Sequence, residues 1–366
     1  MKVLIVTGSY PPAKCGVGDY THRLAQSLAR IPDVTVAIIA DKRFAYDKTQ
    51  RDIAIFDVVE NWRASDFLAI RKAISHWKPD VVHIQYPTRG YQRAFLPWLL
   101  PPLLELVGVT VVQTWHESFE LFPRPIMSMK ALSSGPIIVV RSNYWDLFKG
   151  ITRRLRSRKK TYYIQSAPSI NASHKSAAAL SEIREEFFQY GQNRLLSYFG
   201  FLYPNKGVEQ LFEIADPSRD KILIIGEFDQ NRKYCRALKG LASKPPWQGK
   251  VEFLGFLPPA DVSDILAASD AVVLPFPEGG GEWNTSIQAA RVNGSFVLTT
   301  SRAATGYSEK ENIYYARPSD LSELSRALER YAGAKLEIAT DRYQTEWERV
   351  AIEHLAVYQS ACKGQG

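Results

Sequence analysis

Short apolar runs alternate with segments of helical period along this chain, and the alternation restarts once past its middle. Lys2 to Thr7, Val34 to Ala40, Asp80 to Gln85, Val109 to Thr114 and Ile137 to Val140 read as strands rich in Val and Ile, with helical segments such as Val17 to Arg30 and Ser65 to Trp77 between them. Runs this apolar must be covered on both faces, which is the condition of a parallel sheet wrapped by helices. A second set follows at Arg194 to Phe199, Lys221 to Gly226, Val251 to Leu254, Ala271 to Leu274 and Ser295 to Thr299, with helices expected to begin near Gly207, Asp261 and Asn284. The fold class expected is α/β, with two doubly wound Rossmann-like domains.

The boundary is expected between Ile164 and Gln192, where Pro168, Asn171 and many small residues read as a linker. This gives domains over 1–170 and 171–340, followed by 341–366, whose stretch Thr345 to Tyr358 has helical period with Trp347, Val350, Ala351, Leu355 and Tyr358 for an apolar stripe. Two domains also fit 366 residues, too many for one ordinary core. Cys15, Cys235 and Cys362 are odd in number and far apart, which suits a reducing cytoplasm and neither a disulfide framework nor a zinc cluster. The amino terminus turns into a loop at Gly8 to Pro12, too early for a signal peptide. The longest apolar stretch, Ala94 to Val112, is broken by Pro97, Pro101, Pro102, Glu105 and Gly108, so it reads as a buried helix and strand.

Charge is uneven. Residues 1–170 hold 24 Lys and Arg against 13 Asp and Glu, whereas the remainder holds 22 against 25. Part of the excess is the run RRLRSRKK, Arg153 to Lys160, which reads either as a solvated loop or as a contact for an anionic membrane or a phosphorylated acceptor. Without interleaved aromatics it does not read as a nucleic-acid site.

Four loops carry chemistry. Gly8 to Leu24 follows the first strand and places Gly16, Val17 and Gly18 beside a helix, where bare backbone can approach negative charge. Its spacing is not the dinucleotide fingerprint, and no P-loop string occurs. QTWHESFE, Gln113 to Glu120, sets His116 and Glu117 at a strand's carboxyl end, the usual ligand position in such sheets; the ring could exchange a hydrogen bond with a sugar hydroxyl or a departing phosphate. YFGFLYPNKGVEQL, Tyr198 to Leu211, carries Lys206 before Gly207, where a point charge complements a diphosphate. LPFPEGGGEWNTSIQAA, Leu274 to Ala290, holds Glu278, three glycines and Glu282, then Asn284, Thr285 and Ser286 at a helix start whose amides can bind phosphate.

Taken with DVVHIQYPT, KILIIGEFD, VEFLGFLPP and SDAVVLPF, these strings make the chain similar to retaining glycosyltransferases of the GT-B fold, in the large family 4 that uses nucleotide sugars. The resemblance covers nearly the whole length and implies two Rossmann-like domains facing a cleft, with the terminal helix crossing back to the first. It implies that Lys206 stabilises the donor diphosphate, that Gly16 to Gly18 approaches it from the opposite domain, and that His116 lies near the donor sugar. Glu278 and Glu282 take the place of the family's loop glutamates, and Gly255, Phe256, Leu257 and Pro258 that of the loop meeting the nucleotide base. Two positions depart: Phe201 stands where an arginine is frequent, and Glu278 is followed eight positions on by Ser286 rather than a second glutamate.

The expected activity is metal-independent transfer, with retention, from a nucleoside-diphosphate sugar to a hydroxyl of a glycan or lipid-linked acceptor, in bacterial surface polysaccharide synthesis. No Asp-x-Asp string occurs, so neither metal nor other cofactor is expected. The site would be cytoplasmic, at the inner face of an anionic membrane touched by the basic first domain, with no nucleic-acid partner. Two alternatives are a GT-B subunit with impaired catalysis and a nonhydrolysing nucleotide-sugar epimerase.

Overall fold

A computed structural model describes residues 1–46, 52–117, 125–142, 144–147, 160–189, 191–337 and 342–364. The chain forms two compact units, Met1–Ser166 with Glu346–Gly366, and Ala167–Thr345.

The first unit is built on seven parallel strands: β1 (Lys2–Val6), β2 (Thr35–Asp41), β3 (Ile53–Val59), β4 (Val81–Tyr86), β5 (Val111–Trp115), β6 (Ile137–Val139) and β7 (Thr161–Tyr163). Their order in space is 3-2-1-4-5-6-7, with Val3 opposite Val36 on one side and Val81 on the other. The order reverses between β1 and β4, so the loops after these two strands part at the sheet's switch point, where α/β proteins take their ligands. Helix α1 (Gly16–Ala29) buries Gly18, Tyr20, Thr21, Leu24, Ala25 and Leu28, spaced at three and four residues as one face requires. The stretch from Ala94 forms α3 (Leu96–Glu105) after α2 (Asp66–Trp77), with Pro97 at a first-turn position that needs no amide hydrogen. The core includes Lys130, 1% exposed, whose ammonium lies 4.1 Å from the Trp115 ring centre, 4.7 Å from Tyr86 and 5.1 Å from Trp98.

The second unit repeats the design with β8 (Arg194–Phe199), β9 (Asp220–Ile225), β10 (Val251–Gly255), β11 (Ala271–Leu274), β12 (Val297–Thr300), β13 (Gly306–Ser308) and β14 (Ile313–Ala316), in the order 10-9-8-11-12-14-13. β13 alone among them runs antiparallel. The reversal lies between β8 and β11, whose following loops are the Lys206 and Glu278 segments. Covering helices are α4 (Ala177–Glu186), α5 (Leu211–Ile214), α6 (Lys233–Ala242), α7 (Pro259–Ala268), α8 (Thr285–Val292) and α9 (Leu321–Tyr331). The last helix, α10 (Arg342–Lys363), lies in the first unit from Glu346 onward.

The α/β class holds throughout. Two local readings need correction. The small-residue stretch between Ile164 and Gln192 contains α4, started by the Ser176 hydroxyl accepting from the Ala179 amide at 3.3 Å. No long helix begins at Gly207: two short 3₁₀ turns, Pro204–Lys206 and Val208–Gln210, precede the four-residue α5. Gly207 sits at φ +66°, which breaks helical continuity between them.

Candidate functional site

In the second unit, three adjacent strands end on glycine. Gly200 follows β8 and donates its amide hydrogen to Ile225 O at 3.0 Å; Gly226 follows β9 and donates to Gly255 O at 2.8 Å. Gly226 stands at φ +157°, and a Cβ on it would lie 2.0 Å from the Gly200 carbonyl oxygen. Gly255, at φ +71°, closes β10 just where its register against β9 slips. The carboxyl edge of the sheet is thus a ledge of bare backbone, which a ligand can approach closely. Gly255 and Leu257 are half-buried along this edge, Pro258 is exposed, and Phe256 is 63% exposed.

The two loops at the switch point are joined. A Cβ on Gly207 would lie 2.4 Å from Pro275 O and 2.5 Å from Gln210 Nε2, and that amide nitrogen donates to Pro275 O at 3.1 Å. Lys206, half-buried at the end of its 3₁₀ turn, places Nζ 5.1 Å from the Phe276 ring centre. On the far side the Val208 amide donates to the Tyr234 hydroxyl at 3.0 Å, and that hydroxyl donates to Glu209. The lysine turn is therefore braced by α6 and by the β11 loop together. Near Phe201, at the position where the resemblance places an arginine, the neighbouring charge is Arg232, 4.9 Å over the Tyr203 ring and paired through Nε with Asp229 at 3.2 Å.

Along the β11 loop, Glu278 is exposed and Glu282 half-buried. The Gly280 amide donates to Thr300 O at 2.7 Å, and a Cβ there would meet the Phe276 ring at 2.5 Å. Asn284 stands at the cap position of α8, but its Oδ1 accepts from the Gly281 amide at 3.0 Å and makes no cap bond. The side chain at the cap position instead closes the glycine loop. Thr285 and Ser286 form the first turn of α8, and the amide groups there are not spent on that side chain.

In the first unit, Gly16 to Gly18 form the first turn of α1, so the helix begins at Gly16, one residue before the Val17 expected. Gly16 is exposed and Val17 half-buried, while a Cβ on Gly18 would come 2.8 Å from Ser9 O. The β1 and β4 loops meet backbone to backbone, since a Cβ on Gly90 would fall 1.4 Å from Gly8 O. The Gly90 amide donates to Ser9 Oγ at 2.9 Å.

His116 follows β5 directly. Its amide donates to Tyr86 O at 2.7 Å, its Nε2 lies 2.8 Å from Gln85 Oε1, and the Tyr20 ring packs edge-on at 4.7 Å. Burial, with the neighbouring His354, lowers its pKa to about 3, so the ring is neutral at neutral pH although the residue keeps some exposure. Behind it, His83 lies 2.7 Å from both the Thr114 and Tyr358 hydroxyls, and Tyr20 OH is 3.4 Å from His354 Nε2. Glu117 is exposed, its carbonyl accepting from the Tyr144 hydroxyl at 2.8 Å. Glu120 and residues 47–51 lie outside the described residues, as does the basic run except Lys160. Among the described residues no three His, Cys, Asp or Glu converge as metal ligands would, and no helix is long and apolar enough to cross a membrane.

Sequence reading did not select Gln85, Tyr20, Phe276 or Gln210. Gln85 could have been noticed as a polar residue inside an apolar strand; the others gain meaning only from partners distant in sequence.

Residues 193–333 match the family described as glycosyl transferases group 1. No curated protein sequence matches the chain. Among solved structures, a sucrose-phosphate synthase from Thermosynechococcus elongatus superposes with a TM-score of 0.75 at 16% identity, covering 98% of each chain. The catalytic domain of starch synthase IV from Arabidopsis thaliana, bound to ADP and acarbose, gives 0.68 at 16% identity over 99% of each. HepE from Anabaena, in complex with UDP and glucose, gives 0.66 at 15% identity over 100% of this chain and 99% of that one. The fold of this chain is therefore the GT-B fold of glycosyltransferases over its whole length, and its second unit carries the stretch that matches glycosyl transferases group 1.

Proposed function

We propose that the protein is a retaining glycosyltransferase that moves a sugar from a nucleoside-diphosphate sugar to a hydroxyl of a glycan or lipid-linked acceptor. The observation that carries this reading is the switch point of the second sheet. There a lysine turn, a bare glycine ledge and a helix start without a side-chain cap meet inside the segment matching glycosyl transferases group 1. Lys206 and the first-turn amides around Thr285 and Ser286 suit a diphosphate, and the ledge ending at Gly255 and Phe256 suits the nucleoside. The sucrose-phosphate synthase-like fold and the neighbours solved with UDP or ADP agree with such a donor.

In the mechanism we favour, the acceptor hydroxyl attacks the anomeric carbon from the face the nucleotide leaves. The carbon–oxygen bond to the diphosphate breaks as the new glycosidic bond forms, and a donor phosphate oxygen takes the hydroxyl proton. The chain supplies position and charge, through Lys206 above all, and neither a protein base nor a metal ion is called on. The basic first half suits work at the inner face of an anionic membrane, where a lipid-linked acceptor for surface polysaccharide would lie.

One observation favours a second reading, a GT-B subunit that binds nucleotide without transfer. Phe201 brings no charge to the diphosphate loop, and the nearby Arg232 is paired with Asp229. Calorimetric titration with UDP, GDP, ADP, CMP and dTDP, then a donor-turnover assay across acceptors, separates the two. Binding with no turnover under any acceptor would overturn the transferase reading, and conversion of a donor without acceptor would mark an epimerase. Lys206→Ala should lower turnover by about 10²-fold or more without unfolding the chain, the loss typical of one preorganised charge donor. A rate within twofold of the parent would remove the lysine from the diphosphate site.

A further inference from the structure

Three of the six histidines, His83, His116 and His354, come together in the first unit although they stand 33 and 238 residues apart in sequence. A neutral imidazole has one proton for two nitrogens, and its partners decide which nitrogen holds it. His354 Nδ1 lies 2.7 Å from Val350 O, which can only accept, so Nδ1 carries the proton and Nε2 receives the Tyr20 hydroxyl. That hydroxyl is thereby engaged with His354, and Tyr20 meets His116 as a T-shaped ring pair, at 4.7 Å and 78°. The atom left to set the state of His116 is Gln85 Oε1, 2.8 Å from its Nε2. An amide oxygen likewise only accepts.

Gln85 itself is held. It is fully buried, and its Nε2 lies 3.4 and 3.5 Å from the ring nitrogens of His83. His83 is fixed from two elements at once, by Thr114 Oγ1 on β5 and by the Tyr358 hydroxyl on α10, each at 2.7 Å. The carboxy-terminal helix thus backs a chain that runs Tyr358, His83, Gln85, His116. His116 Nδ1 makes no hydrogen bond among the described residues.

We propose that Gln85 is a positioning residue that holds His116 as its Nε2–H tautomer, so that Nδ1 offers a lone pair to a substrate hydroxyl. His116 would then accept a hydrogen bond and would not hand a proton to a leaving phosphate. The inference rests on the transferase reading only for the substrate that meets Nδ1; the tautomer stands or falls by itself.

The test has two arms on the full chain. Long-range ¹H–¹⁵N correlation of ¹⁵N-histidine protein, with the His116 signals identified by their loss in His116→Ala, should show Nδ1 unprotonated and Nε2 protonated at pH 7. The reverse tautomer, or an even mixture, would overturn the proposal whether or not any donor is turned over. In Gln85→Leu the two tautomers should mix and turnover fall roughly tenfold or more, as when an orienting partner is lost. Unchanged turnover with an accepted donor would also overturn it.

Should Gln85→Leu fail to fold, Gln85→Glu decides the matter. A carboxylate there would hold His116 protonated to higher pH, so activity should fall on acidification with a limb the parent lacks, because the imidazolium has no lone pair. The groups around His116 are His83 from β4, Tyr20 from α1 and His354 from α10, with Tyr358 behind His83 and with Arg349 and Glu353 acting on Tyr20; all remain in the variant. Matching pH profiles for the variant and the parent would count against the assignment. Absence of parent turnover with every donor would instead defeat the transferase reading and leave the nitrogen spectrum to judge Gln85.

Discussion

The two units share a sheet order in which the first strand lies beside the fourth, yet they place buried polar groups at opposite ends of their strands. In the first unit, His83 and Gln85 lie within β4, Thr114 lies in β5 and His116 follows it: neutral donors and acceptors gathered at the carboxyl ends, where a ligand would come. In the second unit the buried charges stand at the amino ends. Arg194 opens β8 and Asp220 opens β9, joined by two bonds of 2.6 and 2.7 Å, and Asp270, just before β11, pairs with Arg184. At the carboxyl ends of the second sheet stand glycines and backbone amides, and the buried hydroxyls there, Thr299 and Thr300 of β12, are spent on Leu274 O and Phe276 O. One unit would meet a substrate with side chains whose protonation is fixed, the other with bare backbone and a single lysine turn.

Acid should separate the two units by the widest margin. His83, His116 and His354 all have lowered pKa values through burial, His116 to about 3 and His354 to about 4. The unfolded chain takes up protons on them near the ordinary value of about 6.5 while the folded chain does not. Between those limits the unfolded state binds more protons, so stability rises with pH and is lost as pH falls below about 6.5. Three imidazoles give a slope of up to about 4 kcal/mol per pH unit. In the second unit the lowered groups that titrate in acid are the carboxylates Asp216, Glu323 and Glu329, whose contributions are lost only as pH falls through the carboxylate range toward their lowered values; Lys335, lowered to about 8 by burial, titrates above this window. Six of the eight tryptophans belong to the first unit, so tryptophan fluorescence followed from pH 7 to 4 should report its loss first. Simultaneous loss of both units would break the contrast.

The amino-end ion pairs should show the next effect. Asp220 is fully buried and its second oxygen also accepts from the Asp216 amide at 2.7 Å, so Asp220→Ala would leave Arg194 in the interior with only the half-exposed Glu329 as an ionic partner. Loss of one partner of such a pair costs about 3–5 kcal/mol. Urea unfolding should show that loss, while nucleotide binding to surviving folded protein stays unchanged, because the pair lies at the end of the strands away from the glycine ledge. Weakened binding in the folded variant would mean that the two ends of this sheet are coupled.

The same contrast explains what could be read from sequence. The second unit's carboxyl edge was legible because glycines and a lysine between strand and helix signals mark a site in consecutive residues, as in GFLYPNKG and EGGGEWNTS. His116 was legible by position alone. Its setting was not: Tyr20, Gln85 and His354 lie on α1, β4 and α10, and only packing brings them together. Strands β3, β7, β13 and β14 escaped notice for a related reason. The first is half-exposed over most of its length, and the other three, TYY, GYS and IYYA, lack the Val-, Ile- and Leu-rich run that made the equally short β6, β11 and β12 readable. At Gly207 the sequence pattern suggested a helix start, but the left-handed glycine and the Tyr234 hydroxyl on the Val208 amide make a braced turn instead.

The smallest effect is expected at the rim of the same ion cluster. Glu329 accepts from Arg194 Nη1 at 3.0 Å and from Arg219, and these guanidinium groups, with Arg219 foremost, hold its carboxyl below the usual range. Its side chain is 47% exposed, however, so water and salt screen most of that attraction. Glu329→Gln should therefore cost about 0.5 kcal/mol and no more than about 1 kcal/mol, and the cost should shrink further in high salt. The carboxylate's contribution is present above its unfolded pKa and lost as pH falls through its lowered folded value, so parent and variant should converge in acid. If urea unfolding at neutral pH instead showed a loss as large as that of Asp220→Ala, Arg194 would depend on both carboxylates equally. The second unit's charges would then form one buried network, not a buried pair with an exposed companion.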